Sequence, residues 1–291
     1  MAKIRISAVN FKISPIVSFD DFAIHVIRLV DQAREDTPDF IIFPELLTIE
    51  LMHLFDGIEE LSEKFIRLTR FTDDYLNLFK NLAVEKSCYI VGGSHLKAVA
   101  GKYLNTGHLF KPDGRILEQP KCHLVPLEKA WTTPGQTVSV FETDKTKIAI
   151  LVCYDMEFPE TARLAALQGA DILVSPSATF DRPGFWRVRH CAQARCIEDQ
   201  VYAVHCSLLG TISDISFWGR SSILTPCDTG LPEKGIAVES STNEEMVITA
   251  EVDTALLHEI RRRGAVTTLN DIRTDLTEKV HRMSRVMDKR R

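Results

Sequence analysis

The chain has 291 residues, 45% of them hydrophobic and 26% charged, with a formal net charge of −5. That is ordinary globular composition, and it argues against nucleic acid as the main partner, because phosphate binding wants a concentrated basic surface. No apolar run approaches the roughly 18 residues of a membrane span, and the opening Met1-Ala2-Lys3-Ile4-Arg5 has no apolar signal region, so cytoplasm is the expected compartment.

Residues 3–9 alternate and read as an opening strand. Ser18 is placed as an N-cap. Behind it Phe22, Ala23, Val26, Ile27 and Val30 recur at helical spacing, predicting an amphipathic helix to about Glu35. The short apolar run Phe40-Ile41-Ile42-Phe43 suits a strand buried on both faces. A helix over 73–86 and a strand over 89–93 follow, then a hairpin over 109–117 turning at Pro112-Asp113-Gly114. Residues 147–152 form a further buried strand. A helix over 159–168 opens on Pro159 and is followed by Gly169. Strands are expected at 172–174, 202–206, 221–224 and 247–252, with a helix at about 185–199 among them. Strands alternating with helices, plus hairpins, mean an α/β fold.

No Gly-, Ser- or Pro-rich linker divides the chain, so a single domain over 1–291 is expected, with its core at about 3–255. Residues 256–291 read as a C-terminal extension. Its basic residues are mixed with acidic and apolar ones, which suits a solvated or subunit-contacting helix rather than a nucleic-acid arm.

The tripeptide Phe-Pro-Glu occurs twice. At 43–45 it closes a strand, where a side chain points into a site; at 158–160 it opens a helix, where Pro and Glu are usual first-turn residues. Glu45 is thus the functional candidate and Glu160 the structural one. Seven cysteines, scattered without a C-x-x-C pair, suit reduced thiols. Cys153 ends the apolar strand 148–152, at the edge of the sheet where ligands bind in open α/β folds. The helix start near Pro159 is expected to favour its thiolate. Taken alone, Cys153 suits a buried structural thiol, Lys121 an exposed lysine and Glu45 a surface carboxylate.

Together the three strings Phe43-Pro44-Glu45, Lys121-Cys122-His123-Leu124 and Cys153-Tyr154-Asp155-Met156-Glu157-Phe158-Pro159-Glu160 resemble the nitrilase, or carbon–nitrogen hydrolase, superfamily. Pro134-Gly135, Gly169-Ala170-Asp171 and Ser175-Pro176-Ser177-Ala178 add to the resemblance, which runs in order from about residue 3 to residue 255. It implies a four-layer α-β-β-α sandwich with mixed sheets, assembled as a homodimer or higher homo-oligomer. It also implies a Glu-Lys-Cys triad of Glu45, Lys121 and Cys153, acting on a small-molecule amide without cofactor or metal. Cys153 would form a thioester, with Glu45 moving protons. Lys121 and the backbone N–H of Tyr154 would hold the oxyanion. Glu128 matches a second glutamate common in such families, set to hold the lysine charged.

Tyr154-Asp155 after the cysteine resembles amidase branches rather than nitrile-hydrolysing ones. Glu157 stands where members acting on carboxylate-bearing amides often carry Arg, so a neutral or amine-bearing amide is the expected substrate. Tyr154, Glu157, Ser177 and Trp131 are the expected substrate contacts, with Phe180, Phe185 and Trp186 as further wall candidates. Three other readings stand beside this one: a zinc site among His190, Cys191, Cys196, His205 and Cys206, whose spacing fits zinc poorly; a non-catalytic binding module; and acyl transfer to an amine, which shares the first half-reaction.

Overall fold

A computed structural model gives the fold of residues 3–55, 57–58 and 60–288. Strand β1 (Lys3–Lys12) leads into helix α1 (Phe19–Arg34), capped as expected by Ser18, whose hydroxyl accepts the N–H of Asp21. β2 (Phe40–Ile42) is followed by a 3-10 segment over Leu47–Leu54, and then by helices α2 (Leu61–Leu68) and α3 (Thr72–Glu85). Strands β3 (Tyr89–Val99), β4 (Lys102–Phe110) and β5 (Ile116–Pro120) form an antiparallel meander. The predicted 109–117 hairpin is its last turn.

The second half carries β6 (Val140–Glu142), β7 (Lys147–Ile150), α4 (Pro159–Leu167), β8 (Ile172–Ser177) and α5 (Arg182–Glu198). β9 (Tyr202–Ile212), β10 (Ile215–Phe217), β11 (Ser222–Leu224), β12 (Ile236–Glu239) and β13 (Met246–Asp253) complete the strands. Helices α6 (Thr254–Arg263) and α7 (Thr274–Asp288) follow. α5 starts three residues earlier than its apolar pattern suggests, because the Asp181 carboxylate accepts the N–H of Gly184 and Pro183 occupies the first turn.

Two sheets face each other. One runs β13-β1-β2-β3-β4-β5 and the other β12-β11-β9-β8-β7-β6, parallel at their centres and antiparallel at their edges. They join where the end of β1 pairs with the far part of β9, Phe11 against Leu208. Between the sheets, Ile4, Ile6 and Ile42 meet Ile150, Val174 and Val204 in one apolar cluster. Outside the first sheet, α1 and α3 cover Phe11, Ile41 and Ile90 with Val26, Leu29 and Phe79. Outside the second, α4 and α5 contribute Ala162, Ala165, Val188 and Ala192. The order is α-β-β-α, each sheet apolar on both faces because both faces are covered.

The start of the predicted extension is docked. Leu257 and Ile260 of α6 are buried, and Arg261 reaches Asp171 Oδ1 and the carbonyl of Ala170, both at 2.8 Å. α7 is exposed over residues 274–285, with Leu276, Val280 and Met283 on one side. Among the described residues no helix is long and apolar enough to cross a membrane.

Candidate active site

Three loops, each leaving the end of a strand, meet at one edge of the sandwich. After β2, Pro44 runs so close to β3 that only glycine fits opposite it. A Cβ on Gly93, whose φ is +69°, would lie 1.8 Å from the Pro44 carbonyl oxygen. That approach, with the Ser94 hydroxyl accepting the Leu46 N–H, fixes the turn bearing Glu45. After β5, Lys121 donates its backbone N–H to Asn105 of β4. After β7, Cys153 opens a 3-10 turn in the left-handed region, φ +48°. A non-glycine residue there is strained by of order 1 kcal/mol or more, a cost usually met at functional turns.

The side chains converge in a buried cluster. Lys121 Nζ donates to Glu45 Oε1 at 2.8 Å and to Glu128 Oε2 at 2.7 Å, and all three residues are at most 5% exposed. Glu45 Oε2 accepts the Ala178 N–H at 2.9 Å, and its carboxylate also interacts with the Cys153 thiol. Asn105 donates Nδ2 to Glu45 Oε1 at 2.9 Å and to Glu128 Oε1 at 3.1 Å, tying the two acids together. The Val125 N–H adds a third hydrogen bond to Glu128. Burial costs are thus largely offset by pairing, as buried charges require.

The protonation pattern follows from this packing. Burial works against the Lys121 ammonium, but Glu45 and Glu128 outweigh it and hold the group above its ordinary value. Burial pushes the Glu45 carboxyl up, opposed by Lys121 and seconded by Glu128. The Cys153 thiol is pushed well above its usual value by burial and then by the Glu45 charge. The expectation that a nearby helix start favours the thiolate is therefore corrected. The thiol rests neutral, because α4 begins six residues on while Glu45 is adjacent.

A pocket of about 510 Å³ opens onto this cluster. Glu45, Lys121, Glu128 and Cys153 line it, as do Tyr154, Glu157 and Trp131 from the predicted substrate contacts. Trp131 stacks on Phe65 at 4.5 Å, and Phe180 lies 5.5 Å from Phe217, giving aromatic walls. Glu157 faces Arg187 across 3.6 Å. Burial lifts the Glu157 carboxyl above its ordinary value, with Arg187 opposing.

Ser177 is not in the pocket. It is the last residue of β8, 1% exposed, and its hydroxyl donates to the Ser175 carbonyl, so it packs within the sheet, while Ala178 and Thr179, just past the strand's end, line the pocket. Phe185 and Trp186 are also outside. Phe185 is buried against His205 and Trp218, and Trp186 stacks on His190. Glu160 is exposed in the first turn of α4, as expected. Among the described residues no group of three His, Cys, Asp or Glu side chains could hold a metal ion, and Cys206 donates to the Val9 carbonyl. Sequence reasoning missed Asn105, Phe65 and Arg187. The sequence carries at most a weak signal for Asn105, an amide between Leu104 and Thr106 in a strand, while the other two depend on long-range packing.

The carbon–nitrogen hydrolase family model matches residues 5–262. The chain is 41% identical over 282 residues to a protein described as probable hydrolase YhcX of Bacillus subtilis, covering 94% of this chain but 54% of that protein, so it spans about half of that relative's length. It is 29% identical over 276 residues to omega-amidase NIT2-B of Xenopus laevis, covering 90% of this chain and 93% of that one. The carbon–nitrogen hydrolase of Helicobacter pylori superposes with a TM-score of 0.82 at 22% identity, covering 96% of this chain and 98% of that one, which supports the fold. A family match across nearly the whole chain, on the same sandwich, places this chain in the carbon–nitrogen hydrolase family, whose enzymes act on carbon–nitrogen bonds other than peptide bonds.

Proposed function

We propose that this chain is an amidase that releases ammonia from a small amide through a thioester on Cys153. The observation that carries the reading is the convergence of a neutral buried thiol, a carboxylate and a doubly paired ammonium at the floor of one pocket. Glu45 takes the thiol proton as sulfur attacks the amide carbonyl carbon. Lys121 and the Tyr154 backbone N–H stabilise the oxyanion. On collapse the C–N bond breaks, and Glu45 passes its proton to the departing nitrogen. Water then attacks the thioester while Glu45 takes a proton from it, and the return of that proton to sulfur frees the acid and restores the thiol. Glu128 holds Lys121 charged and aimed. The similarity to an omega-amidase supports amide hydrolysis over nitrile conversion.

The same reading takes the chain as one hydrolase domain with an extension from about residue 256, working in the cytoplasm as a homo-oligomer. The apolar side chains exposed on α4 and α7, Leu164, Leu167, Leu276, Val280 and Met283, support self-association. Light scattering on the purified protein tests that part.

The experiment for the chemistry is ammonia release from a panel of small amides, wild type against Cys153→Ala. Turnover abolished in the variant supports the amidase reading, and turnover that survives overturns the assignment of Cys153. Ammonia formed without any added amine separates hydrolysis from acyl transfer.

A further inference from the structure

The pocket's outer half carries a carboxylate that the chemistry above does not use. Glu157 lies at the far end of the 3-10 turn that starts at Cys153, about 8 Å along it at a 3-10 rise of roughly 2 Å per residue. Its side chain is 18% exposed and lines the pocket. Within 4 Å, among the described residues, one cation meets that carboxylate: Arg187 Nε at 3.6 Å, beyond a normal hydrogen bond. Arg187 itself is 62% exposed. A partly desolvated carboxylate with so loose a partner has accepting capacity to spare.

Two further features of the wall point the same way. Its ionisable lining sets four carboxylates (Glu45, Glu128, Glu157 and Asp181) against two cations, Lys121 and Arg187. Lys121 is already taken up by two of the acids, and Arg187 stands beside a third. An incoming carboxylate meets a negative site. The remaining wall mixes aliphatic side chains such as Ile49, Leu127 and Val188 with rings, Trp131 on Phe65 and Phe180 beside Phe217, and ring faces attract cations.

We propose that Glu157 receives an ammonium group at the far end of the substrate, so that the pocket selects amides bearing an amine on a short aliphatic chain. This rests on the amidase reading for the reacting end and adds the recognition of the other. An ammonium at Glu157 forms charge-assisted hydrogen bonds in a partly desolvated wall, while its chain lies against the rings. The same chain ending in a carboxylate meets like charge, with Glu157 between it and full use of Arg187.

The test uses three amides of one length: valeramide, its ω-amino derivative and the monoamide of glutaric acid. In wild type the ω-amino amide should exceed valeramide in kcat/KM by about tenfold to a hundredfold, with the glutaric monoamide lowest. Glu157→Gln should bring the ratio of ω-amino amide to valeramide down toward one. Arg187→Gln, which removes the competing cation, should raise it. Binding of the ω-amino amide to Cys153→Ala by calorimetry, with and without Glu157→Gln, reads the subsite apart from the chemistry. Turnover with no preference for the amine, or a preference that survives Glu157→Gln, overturns the proposal and leaves the amidase reading standing. Absence of all turnover, with calorimetric binding that needs Glu157, overturns the amidase reading and keeps the cation subsite.

Discussion

The Asp155 carboxylate accepts the backbone N–H of His123 at 2.7 Å, and the same carboxylate takes the N–H of Cys122 at 3.1 Å. Asp155 sits two residues after Cys153 and its backbone donors begin one residue after Lys121, so the two loops are clamped to each other through one buried side chain. The Asp155 carboxylate also meets His123 Nδ1 at 3.0 Å. Whatever moves this clamp moves the ammonium relative to the thiol.

Asp155→Ala should therefore slow turnover strongly. Two backbone donors lose their acceptor, which costs about 1–3 kcal/mol each if they stay buried, and a displacement near 1 Å at the reacting atoms can cost about a hundredfold in rate. The expected pattern is a kcat lower by about a hundredfold and a lowered melting temperature. Steady-state kinetics and thermal unfolding check it, and an unchanged kcat would show the clamp to be dispensable.

Asn105 offers a prediction in pH rather than rate alone. It donates to Glu45, and a donor to a carboxylate favours the ionised form. Activity needs Glu45 ionised, so it is lost as pH falls through an already raised carboxyl pKa. Asn105→Leu removes the donor and should move that acid limb to higher pH. A kcat/KM profile across the acid range gives the answer, and a limb that stays put would exclude Glu45 as its source.

A third prediction concerns stability away from the pocket. His25 on α1 lies between two carboxylates, Glu50 at 3.0 Å and Glu245 at 2.7 Å. Burial opposes its protonation, but Glu245 and Glu50 outweigh it and raise the imidazolium to about 9. A pKa raised on folding stabilises below the unfolded value, near 6.5, and that contribution is lost as pH rises through about 9. The whole effect is at most roughly 3 kcal/mol. Melting temperature should fall between pH 7 and 10, and His25→Gln should flatten the fall. An identical slope in the variant would assign the pH dependence elsewhere.

Gly93→Ala tests the support of Glu45 directly. A methyl group 1.8 Å from the Pro44 carbonyl must displace the turn, and positive φ adds strain. Either the protein melts far lower or it folds with activity reduced by at least about tenfold, since Glu45 shifts against Lys121. A variant as active and stable as wild type would contradict the close approach.

Much of this was legible in the chain. The strand at Phe40–Ile42, the capped helix behind Ser18 and the Pro159 helix start follow from local patterns that tertiary packing reinforces. Glu45, Lys121, Glu128 and Cys153 could be singled out because short motifs mark them, and the fold brings them together. What local pattern could not supply was the resting state of the thiol. That depends on Glu45 lying beside it from 108 residues away in the chain, and through-space charge leaves no trace in neighbouring residues. Ser177 failed for a smaller reason: β8 runs on through it, and one step of the pleat decides which face a side chain takes. The short edge strands β6 and β12, and the early half of β4, which pairs with β3 alone, were missed because such segments are held by pairing more than by propensity.

The thioester on Cys153 is tested most directly by where the acyl group goes. Wild-type protein mixed with a turned-over amide, quenched in acid during steady state and mapped by peptide mass spectrometry, should carry the acyl group on the peptide containing Cys153. Cys153→Ala should carry none and release no ammonia. An acyl group found on another residue, or ammonia released by Cys153→Ala at the wild-type rate, would contradict the thioester and with it the role given to Glu45.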